Sequence, residues 1–369
     1  MAVLGRKVRS TSSRPRLPRS KPRWKLHATV WPFLSRNMRR LSPNIRPQRV
    51  SNVHKGGPVR WPAVFSGEIA MILIISADQD VHAQAVSAEL KKAGTDHMIL
   101  DQSDFPSRSD LIFEAGMPGA KREWNIRGRK IDLTKVKTVW WRRPQCYEID
   151  QTITDPHSSN FALHECEEFV QGLWLTLDAF WMNDPSNDMK AARKVWQLDV
   201  ARDCGLTIPR TLVTNNPDAA HAFAEQEGIE KTIYKAFQGT EDTWRETRLL
   251  KPEEISQIGA VTYSPVIFQE YIPAEYDIRA TVVGDQIFPA AILSQKSNYK
   301  VDFRMDMAGV DIQPIELPPQ VMVGLRRLMS RMGLEYGAVD FRKTPDGRYV
   351  FLEINPAGQW LFVEDKSQQ

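Results

Sequence analysis

The chain has 369 residues, enough for two or three domains, and 42% of them are apolar, enough for real cores. Its formal charge of +4 hides two unlike parts: residues 1–67 hold 16 Lys and Arg and no acid, so 33 basic and 45 acidic residues remain beyond them, a net of −12. No span approaches the roughly 20 apolar residues of a membrane helix, and three widely spaced cysteines argue against a disulfide framework or a zinc site and fit a reducing cytoplasm.

Residues 1–68 form a basic leader, with Glu68 as the first acid. It is rich in Arg, Pro and Ser, lacks a lasting hydrophobic period, and is expected to be disordered. It could be a nucleic-acid or membrane-surface arm, an organellar transit peptide, or translated sequence upstream of the working protein. The last reading is preferred, because Met71 opens a strand in the manner of a natural start, and the leader is then dispensable. From Met71 the pattern predicts a strand over 71–76, a helix over Val81–Lys92 and a strand over His97–Leu100. Leu111–Ala115 and Trp124–Leu133 read as strands, with Gly128 inside the second, and Val136–Pro144 as a strand ending in Arg142 and Arg143. A helix with Leu163, Phe169, Leu173 and Leu177 follows, and Trp174 and Trp181 are expected in the core. This domain, 71–185, closes near Asn183-Asp-Pro185; the second runs over 186–369. Lys190–Cys204 reads as one helix, Pro209–Thr214 starts a small lobe, and helices are expected near Asp218–Glu227 and Pro318–Met332, giving an α+β pattern.

The tail carries the chemistry. In Phe351-Leu-Glu-Ile-Asn-Pro-Ala-Gly-Gln-Trp360, Glu353 and Asn355 share one strand face, leaving Leu352 and Ile354 on a face that wants a core. Asp340 lies on the preceding strand, joined through Thr344-Pro-Asp-Gly-Arg348. A two-residue Asp346-Gly347 loop puts Asp340 opposite Glu353; a three-residue loop with a bulge shifts the register by one. Two carboxylates and an amide are hard oxygen ligands suited to Mg²⁺, with Mn²⁺ as the alternative ion. Upstream, Lys235 shares an apolar strand face with Ile233 and Phe237, where a lysine must snorkel or meet an anion. Tyr276–Phe288 reads as a hairpin turning at Gly284-Asp285, with Ile278, Ala280 and Val282 on one face and Asp277, Arg279 and Thr281 on the other. Neither a P-loop nor a dinucleotide glycine fingerprint is present.

Asp340, Glu353, Asn355 and Pro356 resemble the metal-binding end of an ATP-grasp ligase, and the wording of Phe351–Glu364, with Trp-Trp-Arg-Arg-Pro144, resembles the maturases that cyclise microviridin-type (graspetide) ribosomal peptides. The resemblance covers about residues 71–369. It implies an ATP-grasp fold of two α+β lobes clasping ATP, preceded by an α/β pre-ATP-grasp domain. It implies metal binding by Asp340, Glu353 and Asn355, and nucleotide binding by Lys194, Lys235, the hinge residues Glu270, Tyr271 and Ile272, and Asp277. Lys190 and Arg193 stand close enough to Lys194 to be alternatives. Arg279 and Arg304 would be catalytic, and Gln238–Thr247 would fold over the phosphates. The implied activity is an ATP- and Mg²⁺-dependent ligase acting through an acyl phosphate on a precursor peptide with a leader, forming lactam or lactone crosslinks. A homodimer is one assembly state; membrane and nucleic acid are not expected partners. The alternatives are an amino-acid or peptide ligase of the glutathione synthetase or ribosomal-protein glutamate ligase type, and a non-catalytic binder. The chain stops at Gln369, soon after the metal strand, so a shortened C-terminal lobe is expected.

Overall fold

The computed structural model describes residues 71–237, 247–296 and 310–367. The leader, most of the Gln238–Thr247 loop and the segment with Arg304 lie outside the described residues. Strands β1 (Met71–Ser76) and β2 (His97–Leu100) are parallel and joined by α1 (Val81–Lys92). The helix starts where Asp80 accepts hydrogen bonds from the backbone N–H groups of His82 and Ala83, at 2.8 and 2.9 Å. Side-chain alternation along β1 sends Ile72 and Ile74 toward α1 and Met71, Leu73 and Ile75 to the opposite core. The strands β3 (Ser109–Phe113), β4 (Arg122–Ile126) and β5 (Arg129–Asp132) form a separate antiparallel sheet. Its second hairpin turns at Arg127 and Gly128, both at positive φ (53° and 72°), as a two-residue turn of this hand needs. Strand β6 (Val136–Arg143) returns beside β1; after α2 (Pro156–Leu175), β7 (Phe180–Met182) completes a parallel sheet in the order β2-β1-β6-β7. Trp124 and Trp174 stack at 5.5 Å in the core beneath α2, and Trp181 packs on the same cluster.

The expected single helix over Lys190–Cys204 is instead two, α3 (Pro185–Ala191) and α4 (Lys194–Asp203). Arg193 is extended and stands at the N-cap position of α4 without a side-chain capping bond. The buried Gln197 fills the break: its amide nitrogen donates to the carbonyls of Ala191 (2.6 Å) and Ile354 (2.8 Å), while its oxygen accepts from the Ile354 N–H. Lys194 thereby becomes the first residue of α4. A second sheet follows from β8 (Thr211–Thr214), β9 (Thr232–Lys235), β10 (Arg248–Leu249) and β11 (Val266–Glu270), antiparallel in the order β10-β9-β11-β8 and backed by α5 (Pro217–Glu227).

The last sheet holds β12 (Tyr276–Val283), β13 (Gln286–Ile292), β14 (Ile312–Pro314), β15 (Tyr336–Lys343) and β16 (Tyr349–Asn355) in the order β14-β13-β12-β15-β16. The β12–β13 hairpin turns at Gly284-Asp285 with Gly284 at φ 56°. Helix α6 (Pro319–Met332) and α4 cover one face over Ile278, Ala280, Val339, Phe341, Phe351 and Ile354; α7 (Leu361–Ser367) ends the described chain. The β15–β16 connection corrects the simpler of the two expected hairpins. Lys343 pairs with Tyr349 and Phe341 with Phe351, so the loop is one residue longer than Asp346-Gly347. A register shift beyond Phe341 then restores Asp340 opposite Glu353. The extra residue is Leu352, so Phe351 and Ile354, three apart, both reach the core and Leu352 does not.

The first and last sheets share a core, in which Ile72, Ile74, Trp140 and Met182 meet Val283, Phe288, Tyr336 and Trp360. Among the described residues no helix is long and apolar enough to cross a membrane, and Cys146, Cys166 and Cys204 are free thiols. His82 is buried in the shared core, 4.4 Å from the Trp360 ring. Burial, aided by the charges of Arg142 and Arg143 against that of Asp80, pushes its imidazole down to about 3. A folded-state value below the unfolded one means that this neutral histidine contributes stability above about pH 6.5, progressively lost as pH falls from there toward 3. Melting followed by circular dichroism between pH 7 and 4 should therefore show a falling Tm. His82→Gln, which cannot titrate, should flatten that slope; an unchanged slope would contradict the assignment.

Candidate active site

A cleft opens where the second and last sheets meet, floored by the start of α4. Val213 and Ile267 of one sheet and Leu352 of the other form its apolar walls, with Leu198 of α4. Lys194, Lys235 and Glu353 bring charge into it. The bulge at β16 explains why Leu352 lines the cleft rather than the core expected of it. Lys235 pairs with Ile267 in the β9–β11 ladder, which sets its place on the cleft wall. Lys194 donates to the Glu353 carboxylate at 2.5 Å. A cation at a helix N-terminus opposes the helix dipole, and this carboxylate offsets it.

Behind Glu353 lies the candidate metal set. The Asn355 amide nitrogen is 3.4 Å from Asp340 Oδ2 and 3.3 Å from Glu353 Oε1, so the amide sits between the two carboxylates. Among the described residues no three His, Cys, Asp or Glu side chains gather as a metal site; the third donor here is an amide. Turning that amide over would present three oxygens to one point, a donor set that fits Mg²⁺ with its remaining positions left to water and phosphate.

Asp340 is fixed from the other side by Arg279 Nε at 2.9 Å. Arg279 and Asp340 are directly opposed in the β12–β15 ladder, and so are Asp277 and Arg342. Arg342 Nε donates to Asp277 Oδ1 at 2.8 Å, and Ser294 donates to Asp277 Oδ2. All four charged side chains are buried. Asp277 is thus taken up by Arg342, which the sequence reading did not single out. Its signal was present: Asp277-Ile-Arg279 and Asp340-Phe-Arg342 are the same triplet on antiparallel neighbours, so each aspartate meets the other's arginine.

The hinge residues lie at the end of β11. Tyr271 N–H donates to the Lys231 carbonyl at 2.7 Å, and Ile272 C=O accepts from Arg342 at 2.9 Å. The Glu270 carboxylate accepts the Arg210 N–H at 3.0 Å, and the Tyr271 ring lies 5.7 Å from the Arg342 guanidinium. Lys194, Lys235, Asp340, Glu353 and Asn355 are therefore brought together around the cleft, with Arg279 behind Asp340 and Asp277 one pair further along. Arg142, Asn183, Gln197 and Gly358 also support the site, and no spacing in the sequence announces them, because their partners lie more than 150 residues away or depend on one close approach.

A family model described as the MvdD pre-ATP grasp domain matches residues 71–189. No curated protein matches the chain. Among solved structures, the macrocyclase MdnC of Microcystis aeruginosa MRC, bound with precursor peptide MdnA, is 30% identical, with 80% of this chain and 94% of that one covered and a TM-score of 0.72. A RiPP-associated ATP-grasp ligase of Chryseobacterium gregarium, in complex with ADP and a leader and core peptide, is 26% identical over 80% and 92% of the two chains, at a TM-score of 0.73. The ATP-grasp ligase PsnB, complexed with a phosphomimetic variant of minimal precursor, Mg and ADP, is 25% identical over 81% and 94%, at a TM-score of 0.66.

The Asp277–Arg342 pair makes a prediction of its own. Removing one partner leaves a buried charge uncompensated, at a cost of about 3–5 kcal/mol. Asp277→Ala should lower the urea midpoint accordingly in the absence of any nucleotide. A side chain that served only a ligand would leave that midpoint unmoved.

Proposed function

The chain belongs to the ATP-grasp ligases of the microviridin-type peptide maturase family, and on that footing we propose that it binds ATP and Mg²⁺ and crosslinks side chains within a ribosomally made precursor peptide. It is an ATP-dependent ligase. The observation that carries the finer reading is the meeting of Lys194, Lys235 and Glu353 in one cleft, with Asp340 and Asn355 directly behind.

Asp340, Glu353 and Asn355 would hold Mg²⁺, with Mn²⁺ as a substitute ion; bound there, the metal supplies charge neutralisation for polyphosphate. Lys194 and Lys235 bind phosphate oxygens, Lys194 exchanging its Glu353 partner for them. The apolar walls, Leu198, Val213, Ile267 and Leu352, receive the flat base. Arg279 holds Asp340 in place, and Arg304 would stabilise the transferring phosphoryl group, as the family resemblance implies. Glu270, Tyr271 and Ile272 border the base, and Asp277 acts at the ribose end chiefly by holding Arg342.

The chemistry then balances simply. A substrate carboxylate oxygen attacks the γ-phosphorus and ADP leaves, giving an acyl phosphate. The cationic side chains stabilise the charge that spreads over the phosphoryl oxygens. A lysine amine or a serine or threonine hydroxyl adds to the acyl carbon, loses its proton, and inorganic phosphate departs with a carboxylate oxygen. Each amide or ester made this way removes one water from the peptide. The leader of the precursor would recruit it, in the cytoplasm where ATP is at hand.

The test is mass spectrometry of a precursor peptide incubated with the chain, ATP and Mg²⁺. Loss of one water per crosslink, with ADP and phosphate as co-products, is expected. A mass gain equal to an added amino acid would instead favour a tailing ligase of the glutamate-ligase type, and absence of ATP consumption by folded protein would favour a non-catalytic binder. Glu353→Gln keeps the shape of the side chain and should cut turnover by more than about 100-fold, the scale of one lost electrostatic contact to the transition state. Its melting temperature should stay near that of the parent, and undiminished ADP release would refute the role of Glu353.

A further inference from the structure

Asn355 is the last residue of β16, and the chain then turns through Pro356, Ala357 and Gly358. Pro356 and Gly358 are buried there, beyond the end of the strand ladder. Buried carbonyls need donors. The three that follow Asn355 obtain them mainly from a different sheet. Asn183, just after β7, donates to the Pro356 carbonyl at 3.2 Å. Arg142, near the end of β6, donates through one Nη atom to the carbonyls of Ala357 (2.5 Å) and Gly358 (2.9 Å). The last sheet adds the Tyr336 hydroxyl, which donates to the Gly358 carbonyl at 2.8 Å.

The donors are themselves rigid. Arg142 is fully buried, its guanidinium 5.3 Å from the Trp360 ring and 5.9 Å from that of Trp140. Its Nε lies 3.4 Å from the Asp80 carboxylate that starts α1. Asn183 is held in turn, because its oxygen accepts the N–H groups of Glu335 and Tyr336 at 2.8 and 2.9 Å. The turn has no slack either. A Cβ on Gly358 would stand 2.3 Å from the Cβ of Ala338 and 3.3 Å from Nη1 of Arg279. The same turn therefore borders both Asn355 and the arginine that orients Asp340.

We propose that Arg142, assisted by Asn183, is a positioning residue, in which the N-terminal sheet grips the 356–358 turn and so fixes Asn355 where a metal-bound nucleotide needs it. The inference rests on the metal role given to Asn355 under the proposed function. Arginine suits the task because one Nη atom serves both carbonyls while Nε stays beside Asp80 and the guanidinium lies against both indoles, which the point charge of a lysine cannot do.

The experiment is calorimetric titration of ADP into the full chain, once with excess Mg²⁺ and once with EDTA. Three variants are compared: Arg142→Met, Arg142→Lys, and Val139→Ala, a core change in the same strand that touches neither turn nor cleft. Wild type should bind ADP more tightly with Mg²⁺. Arg142→Met should lose about tenfold or more of that metal-dependent gain, as residues that orient metal ligands do, with the affinity in EDTA unchanged. Arg142→Lys should lose part of the gain. Val139→Ala should melt earlier yet keep the gain whole. A wild-type metal-dependent gain in Arg142→Met overturns the proposal; should that variant not fold, a wild-type gain in Arg142→Lys overturns it. Loss of the gain in Val139→Ala would equally overturn it, by showing that general loosening suffices. A wild-type chain that binds no ADP with Mg²⁺ refutes the proposed function itself, and this inference with it.

Discussion

Two reciprocal ion pairs, Asp277–Arg342 and Arg279–Asp340, govern the register on which the site depends. They cross between β12 and β15 at directly opposed positions. A slip of one residue in either direction would break both pairs, set Arg279 and Asp340 against apolar neighbours and turn the Ile278, Ala280, Val339 and Phe341 face out of its core. Buried ion pairs of this kind are seldom a net gain over apolar packing, since desolvation consumes most of the attraction. Their value here is placement. With β15 fixed against β12, Asp340 has one position, and the bulge at Leu352 then brings Glu353 opposite it.

The site is assembled from three sources that meet at this point. Strands β15 and β16 supply the carboxylates and the amide. The break between α3 and α4 starts a helix at Lys194 and aims its ammonium at Glu353. The second sheet brings Lys235 and the apolar wall across the cleft. Lys194 is matched by Glu353, Arg279 by Asp340 and Arg342 by Asp277, so these charges are held ready without a ligand. A polyphosphate with its cation would exchange one set of partners for another rather than bring bare charge into an apolar place. The shared core between the first and last sheets, in which Arg142 lies against both Trp140 and Trp360, makes the N-terminal sheet part of that construction.

Much of this was legible in the sequence where a local rule applied. The first parallel unit followed from periodicity, and Met71–Ser76, Val81–Lys92 and His97–Leu100 fall where the pattern places them. The sharing of a face by Glu353 and Asn355 followed from strand alternation. What the sequence withheld were features decided at long range. The turn after Lys343 and the bulge at Leu352 compensate for each other, so Asp340 meets Glu353 by a route that neither simple hairpin describes. The helix break at Arg193 depends on Gln197 reaching Ile354, far along the chain. The partners of Arg142 lie 215 and 216 residues on, beyond any local signal. Arg342 was within reach of the reading, since its triplet repeats that of Asp277, but only pairing the two strands reveals it.

On the proposed function, Asp340, Glu353 and Asn355 hold one cation beside a nucleotide in the cleft walled by Leu352 and Ile267. A crystal of the chain grown with ADP and Mn²⁺, measured at the manganese absorption edge, tests it directly. An anomalous peak is expected at about 2.0–2.3 Å from an oxygen of each of the three side chains, near the range of small oxygen-loving divalent ions. The ADP phosphates should lie against that peak and Lys194 should be parted from Glu353. A manganese peak elsewhere, with the Lys194–Glu353 pair intact and no density for nucleotide in the cleft, would contradict it.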